Sequence, residues 1–188
     1  MTNLTSFVKN NQLALLQIHR ELSILAGSRY GVFSAPLPVV GGASIGAHLR
    51  HILDFYSSFC TGLKRGRIDY DDRQRSSQIE NEIETALQQL LQIVEQLELL
   101  KNMENCEVTV RSAVEVTSDP SIGQSNVIRE LQSLHSHTTH HMAIIAIALK
   151  LNNIDVEEDF GKAPSTIQYE RTLHLNHQQL NNQQVSES

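Results

Sequence analysis

The chain has 188 residues, with 21 acidic against 15 basic side chains and a formal net charge of -6. That length suits one compact domain with a substantial core. The acidic balance leaves no general basic field for nucleic acid. Apolar residues make up 40% of the chain and aromatic ones 5%, which suits a helical protein packed with Leu, Ile and Ala. The two cysteines, Cys60 and Cys106, lie far apart, which argues against a disulfide framework and fits a reducing cytoplasm. The opening Met-Thr-Asn-Leu-Thr-Ser-Phe lacks the basic-then-apolar layout of a secretion signal. No stretch approaches the roughly 20 apolar residues that span a bilayer. The expectation is a cytoplasmic protein with neither nucleic-acid nor membrane partners.

Residues 3–26 carry Leu4, Phe7, Leu13, Leu15, Leu16, Ile18, Leu22, Ile24 and Leu25 at helix-like spacing, with Gly27 as a stop. The segment 28–42 contains Gly31, Pro36, Pro38, Gly41 and Gly42, and reads as a loop. Ser44 is a good amino-terminal cap for a second helix to about Leu63, ended by Gly66. Residues 66–77 are polar and charged, another expected loop. The basic clusters there (Lys64, Arg65 and Arg67; Arg73 and Arg75) read as solvated. A third helix is expected over 78–103, where Ile79, Ile83, Leu87, Leu90, Leu91, Val94, Leu97 and Leu100 recur at three- and four-residue intervals. Between Cys106 and Val116 apolar and polar residues alternate, and Val114 and Val116 bracket Glu115, which predicts two short strands in a hairpin. Asp119, Pro120 and Gly123 then break the pattern before a fourth helix over 125–151. Residues 155–164 read as an acidic loop. The Asn-, Gln- and Ser-rich tail composition suggests disorder. The expected architecture is all-α: a four-helix bundle over residues 1–163 with a small hairpin before its last helix, then a polar tail over 164–188.

Six of the nine histidines fall in two short apolar stretches, 45–54 and 134–145. His137 and His141 are one helical turn apart, so both side chains lean along one helix face. His48 and His51, three apart on the second helix, share a side with Ile52 and Phe55. An interior facing one imidazole from the second helix and two from the fourth would hold a divalent metal with open positions. Only one of His48 and His51 need be a ligand, and His140, beside the pair, is an alternative ligand or a residue that orients one. Asp54 would either accept the second ring proton of a ligating histidine or pair with Arg50. The competing reading is a helical protein whose histidines merely hydrogen-bond one another. His19 reads as an edge residue, and His174 and His177 as solvated. Glu130 is the best carboxylate candidate on the fourth helix but reads as a solvated residue. Cys60 and Cys106 read as small buried hydrophobes.

The run Ser-Ile-Gly-Ala-His-Leu-Arg-His-Ile-Leu-Asp-Phe-Tyr, followed much later by His-Ser-His-Thr-Thr-His-His, resembles the DinB/YfiT-like superfamily. The resemblance covers about residues 5–151. It implies a four-helix bundle in which one histidine of the second helix and an H-x-x-x-H pair of a later helix bind a divalent metal. By motif the first ligand falls on His51, because the apolar-acidic run after it matches, and the pair falls on His137 and His141. Many members continue the second ligand of the pair with Arg-Gly-Gln, whereas Met142, Ala143 and Ile144 follow His141 here. Ligand spacing is intact, but the pocket lining beside it differs. The resemblance implies a metal-dependent enzyme on small molecules, of the thiol-dependent S-transferase type, in which a metal-activated thiolate of a low-molecular-weight thiol attacks an electrophile. Its alternatives are a metal-dependent hydrolase and a non-catalytic metal-binding or stress-response module. Three imidazoles accept Zn, Ni, Mn or Fe. The resemblance also favours a homodimer, which leftover apolar helix faces would suit.

Overall fold

The computed structural model describes residues 4–27, 29–113 and 120–186, with Val40 and residues 177–186 described by backbone alone. The first helix, α1 (Thr5–Ser23), turns Val8, Leu15, Ile18 and Leu22 inward at three- to seven-residue spacing. Gly27, at φ 95°, closes the turn after it with a left-handed backbone that suits glycine. The expected loop after it holds a one-turn helix, α2 (Tyr30–Ser34), and a 3-10 turn over Pro38–Val40. Helix α3 (Ile45–Leu63) begins as its sequence indicates, with the Ser44 hydroxyl oxygen accepting from the Ala47 amide at 3.0 Å. Its fully buried face holds Ile45, Leu49, Ile52, Tyr56 and Phe59. Gly46 has to be glycine, since a Cβ there would lie 2.0 Å from the Glu80 carbonyl oxygen.

The expected third helix is split. A short α4 (Ser77–Asn81) is separated from α5 (Ile83–Glu98) by Glu82, whose φ of -117° and ψ of 104° are extended. Helix α5 then buries Ile83, Ala86, Leu87, Leu90, Ile93 and Leu97 on one stripe. Helix α6 (Val127–Leu151) is capped by Asn126, whose side-chain oxygen accepts from the Arg129 amide at 3.0 Å. Both α1 and α3 lie against α5 and α6, so four long helices enclose one core. Each fully buried aliphatic side chain in it stabilises the fold by roughly 1.5–3 kcal/mol relative to exposure.

Two expectations need correction. The protein is mostly helical but not all-α, and its extended segments are not the simple hairpin expected. A three-stranded sheet in the order β1-β2-β3 joins β1 (Arg67–Asp69), β2 (Glu107–Ser112) and β3 (Ser121–Asn126). Strand β1 comes from the segment expected as a loop and pairs parallel to β2, with Ile68 opposite Val110. Strand β3 pairs antiparallel to β2, with Val108 opposite Ser125. A three-residue strand is too short to show alternation, and the Gly123 of β3 reads as a breaker in sequence although a strand tolerates it. Val114, Val116 and Asp119 lie outside the described residues, as does Ser28. The tail is likewise not shapeless: α7 (Pro164–Ser186) is helical, with proline at its first position, where the missing N–H costs nothing. Lys162–Glu170 and Arg171–Asp159 ion pairs tie its first turns to the preceding segment. Among the described residues no helix is long and apolar enough to cross a membrane.

Candidate metal centre

Helices α3 and α6 pack side by side and bring the two histidine stretches face to face. One ring nitrogen each of His51, His137 and His141 lies within 4.8 Å of the others, a group that could hold a metal ion. The three rings sit 4.6–4.9 Å apart, centroid to centroid. His141 is buried, and His51 and His137 are half-buried. Burial, followed by the neighbouring His137 ring, holds the His51 imidazolium pKa down at about 4. The same two causes take His141 down to about 3, and burial also lowers His137. All three rings are therefore neutral at physiological pH, the form that ligates metal.

His48 stands behind this group. Its Nδ1 lies 3.1 Å from Nδ1 of His141, so one of the two nitrogens donates. If His141 donates, its Nε2 keeps a lone pair and His48 fixes its ring, as a partner behind a metal ligand does. His48 Nε2 is then a buried N–H, and it has no hydrogen-bond partner.

The residues fit a bound cation on one further observation. His137 Nε2 is buried and has no hydrogen-bond partner. An orphaned buried nitrogen is costly unless something coordinates it. A cation shared with His51 and His141 would satisfy it.

An aromatic wall flanks the histidines. Phe55 stacks on His137 at 4.3 Å and on Tyr70 at 5.1 Å. The Tyr70 hydroxyl donates to Glu130 at 2.7 Å, and the Ser125 hydroxyl donates to its other oxygen at 2.6 Å. Glu130 is thus buried and doubly engaged, not solvated as its sequence context suggests. Asp54 accepts from Arg50 at 2.9 Å, and Arg50 also reaches Glu80 at 2.9 Å. Burial pushes the Asp54 pKa up, against the pull of Arg50.

Comparison with family models, with curated proteins and with solved structures returned no match. The site's meaning therefore rests on its own geometry.

The remaining histidines stay outside the group. His140 is exposed with its ring 5.1 Å from that of His141. His135 is half-buried, which lowers its pKa. His19 lies 3.4 Å from the Ser23 hydroxyl, His174 is exposed, and the His177 side chain lies outside the described residues. Cys60 is buried, and burial pushes its thiol up to about 11, an unreactive small hydrophobe as expected. Cys106 differs: it is exposed, not buried.

Sequence reasoning missed Arg73. Its guanidinium Nη1 donates to Nδ1 of His51 at 2.9 Å and its Cζ lies 5.5 Å from the Phe55 ring centre. Only the mixed charges around it were visible in sequence, and those resemble any solvated loop.

Proposed function

We propose that this chain is a divalent-metal-binding protein of the DinB/YfiT-like kind, with His51, His137 and His141 as ligands. The carrying observation is the convergence of three neutral imidazoles within 4.8 Å. Zn, Ni, Mn and Fe all suit such a set, and a cation held there would act as a Lewis acid, drawing a thiol's pKa toward neutrality. His48 orients His141, and Phe55 and Tyr70 supply an apolar wall for a small molecule.

Within that reading, the thiol-dependent S-transferase type fits better than a hydrolase. A hydrolase that passes a proton to its leaving group through a carboxylate needs one free beside the centre. Glu130, the carboxylate candidate on the last core helix, is held by two hydroxyls, and Asp54 is held through one oxygen by Arg50. A thiolate formed by Lewis acidity needs no such base; a metal-bound water would be activated in the same way, which keeps the hydrolase as the second reading.

The test is thiol consumption by metal-loaded protein with a panel of small electrophiles, with and without chelator. Turnover that disappears with chelator and returns with added metal is expected. Turnover that ignores chelator would overturn the transferase reading.

A further inference from the structure

Lone-pair counting at His51 leads further. A neutral imidazole has one in-plane lone pair and one N–H. Arg73 donates to Nδ1, so it takes the only lone pair that His51 has. A cation needs that same pair. Arg73 and the metal therefore exclude each other at this ring, whichever nitrogen the metal approaches, and two positive groups a few ångströms apart also repel.

The guanidinium released in this way has little else to hold. Arg73 Nε is buried without a hydrogen-bond partner, and Arg73 makes no ion pair among the described residues. The nearby Asp54 feels the Arg73 charge but makes no ion pair with it; Arg50 holds its Oδ2 and also reaches Glu80. Three neutral rings, a divalent cation and a free guanidinium leave the centre strongly positive. The planar fork of an arginine matches the paired oxygens of a carboxylate or phosphate.

We propose that Arg73 is the specificity-determining residue of this centre, and that the small molecule bound there carries an oxyanionic group, carboxylate or phosphate, held between Arg73 and the cation. This rests on the metal-binding reading above. Arg73 bonds His51 in the metal-free state, swings off when the cation arrives, and engages the ligand's oxyanion over the Phe55 face. It is a binding residue and moves no proton.

Cobalt-loaded full-length protein tests this through its visible absorption, which reports what surrounds the metal. Acetate is titrated in one arm and methylphosphonate in the other, into wild type, Arg73→Gln and Arg73→Lys. In wild type at least one oxyanion shifts the cobalt bands, and the tighter arm names the group. Arg73→Gln should weaken that binding roughly tenfold to a hundredfold, the loss of a charge-assisted hydrogen bond. Arg73→Lys should fall between the two. In anion-free buffer Arg73→Gln should bind cobalt more tightly than wild type, because a competitor for His51 is gone. Equal oxyanion affinity in all three proteins, or no spectral response in wild type, would overturn the role of Arg73 and leave the metal site standing. Failure of wild type to bind cobalt would instead overturn the metal-binding reading itself.

Discussion

Helices α3 and α6 carry two buried polar clusters, one about Tyr56 and one about the histidines. The first is closed. The Tyr56 hydroxyl donates to Asn11 Oδ1 at 2.6 Å and accepts from Thr138 at 3.1 Å. Asn11 in turn donates to the carbonyls of Phe7 and Leu131 at 2.8 and 3.0 Å. No polar side-chain atom in that network is orphaned. The second cluster is open, with His48 Nε2, His137 Nε2 and Arg73 Nε all buried and unpartnered. With Asn11 of α1 as the third member, the core satisfies every polar group of the Tyr56 network. The histidine cluster leaves its own polar atoms without a partner in the chain, which is what the proposed metal centre would account for.

Substitutions should separate the two clusters. The largest expected effect is on metal affinity: His141→Ala removes one of three ligands and should weaken binding by about a hundredfold or more, read by competition with a chromophoric chelator. His48→Phe removes only the partner of His141 and should cost roughly tenfold in the same assay. Tyr56→Phe breaks the closed network instead. It should lower unfolding free energy by about 1–3 kcal/mol in urea melts and leave metal affinity unchanged.

Acid should sharpen the same contrast in metal-free protein. Unfolded histidines titrate near pH 6.5, whereas folded His51 and His141 do so at about 4 and about 3. Between those limits the unfolded chain binds more protons, so stability is full above about pH 6.5 and falls as pH drops toward 4. Melting temperatures at several pH values should show this slope in wild type and in Tyr56→Phe, and a flatter one in a His51→Ala, His141→Ala double variant. The smallest effect concerns the thiols. Exposed Cys106 should alkylate readily at pH 8 in the folded protein, and buried Cys60 should not, as read by mass spectrometry.

The long helices were legible because their apolar residues recur on one face, and because Ser44 announces the start of α3. Helical phase puts His137 and His141 on one face and leaves His48 and His51 both open on α3; the choice of His51 comes from the family resemblance, and the structure groups it with the pair. Where signals were short or distant, sequence failed. Strand β1 has three residues, and Glu82 breaks the third helix with neither glycine nor proline to mark it. The burial of Glu130 depends on Tyr70, sixty positions away, and the role of Arg73 depends on a loop folding back over α3. Such partners belong to tertiary structure, which local pattern does not encode.

Metal content decides the central claim most directly. Protein purified without a polyhistidine tag is dialysed against dilute zinc, then buffer, and zinc per chain is measured in wild type and in a His51→Ala, His137→Ala double variant. About one equivalent in wild type and almost none in the variant is the result expected of a three-histidine centre. Equal zinc in both proteins, or none in wild type, would contradict it.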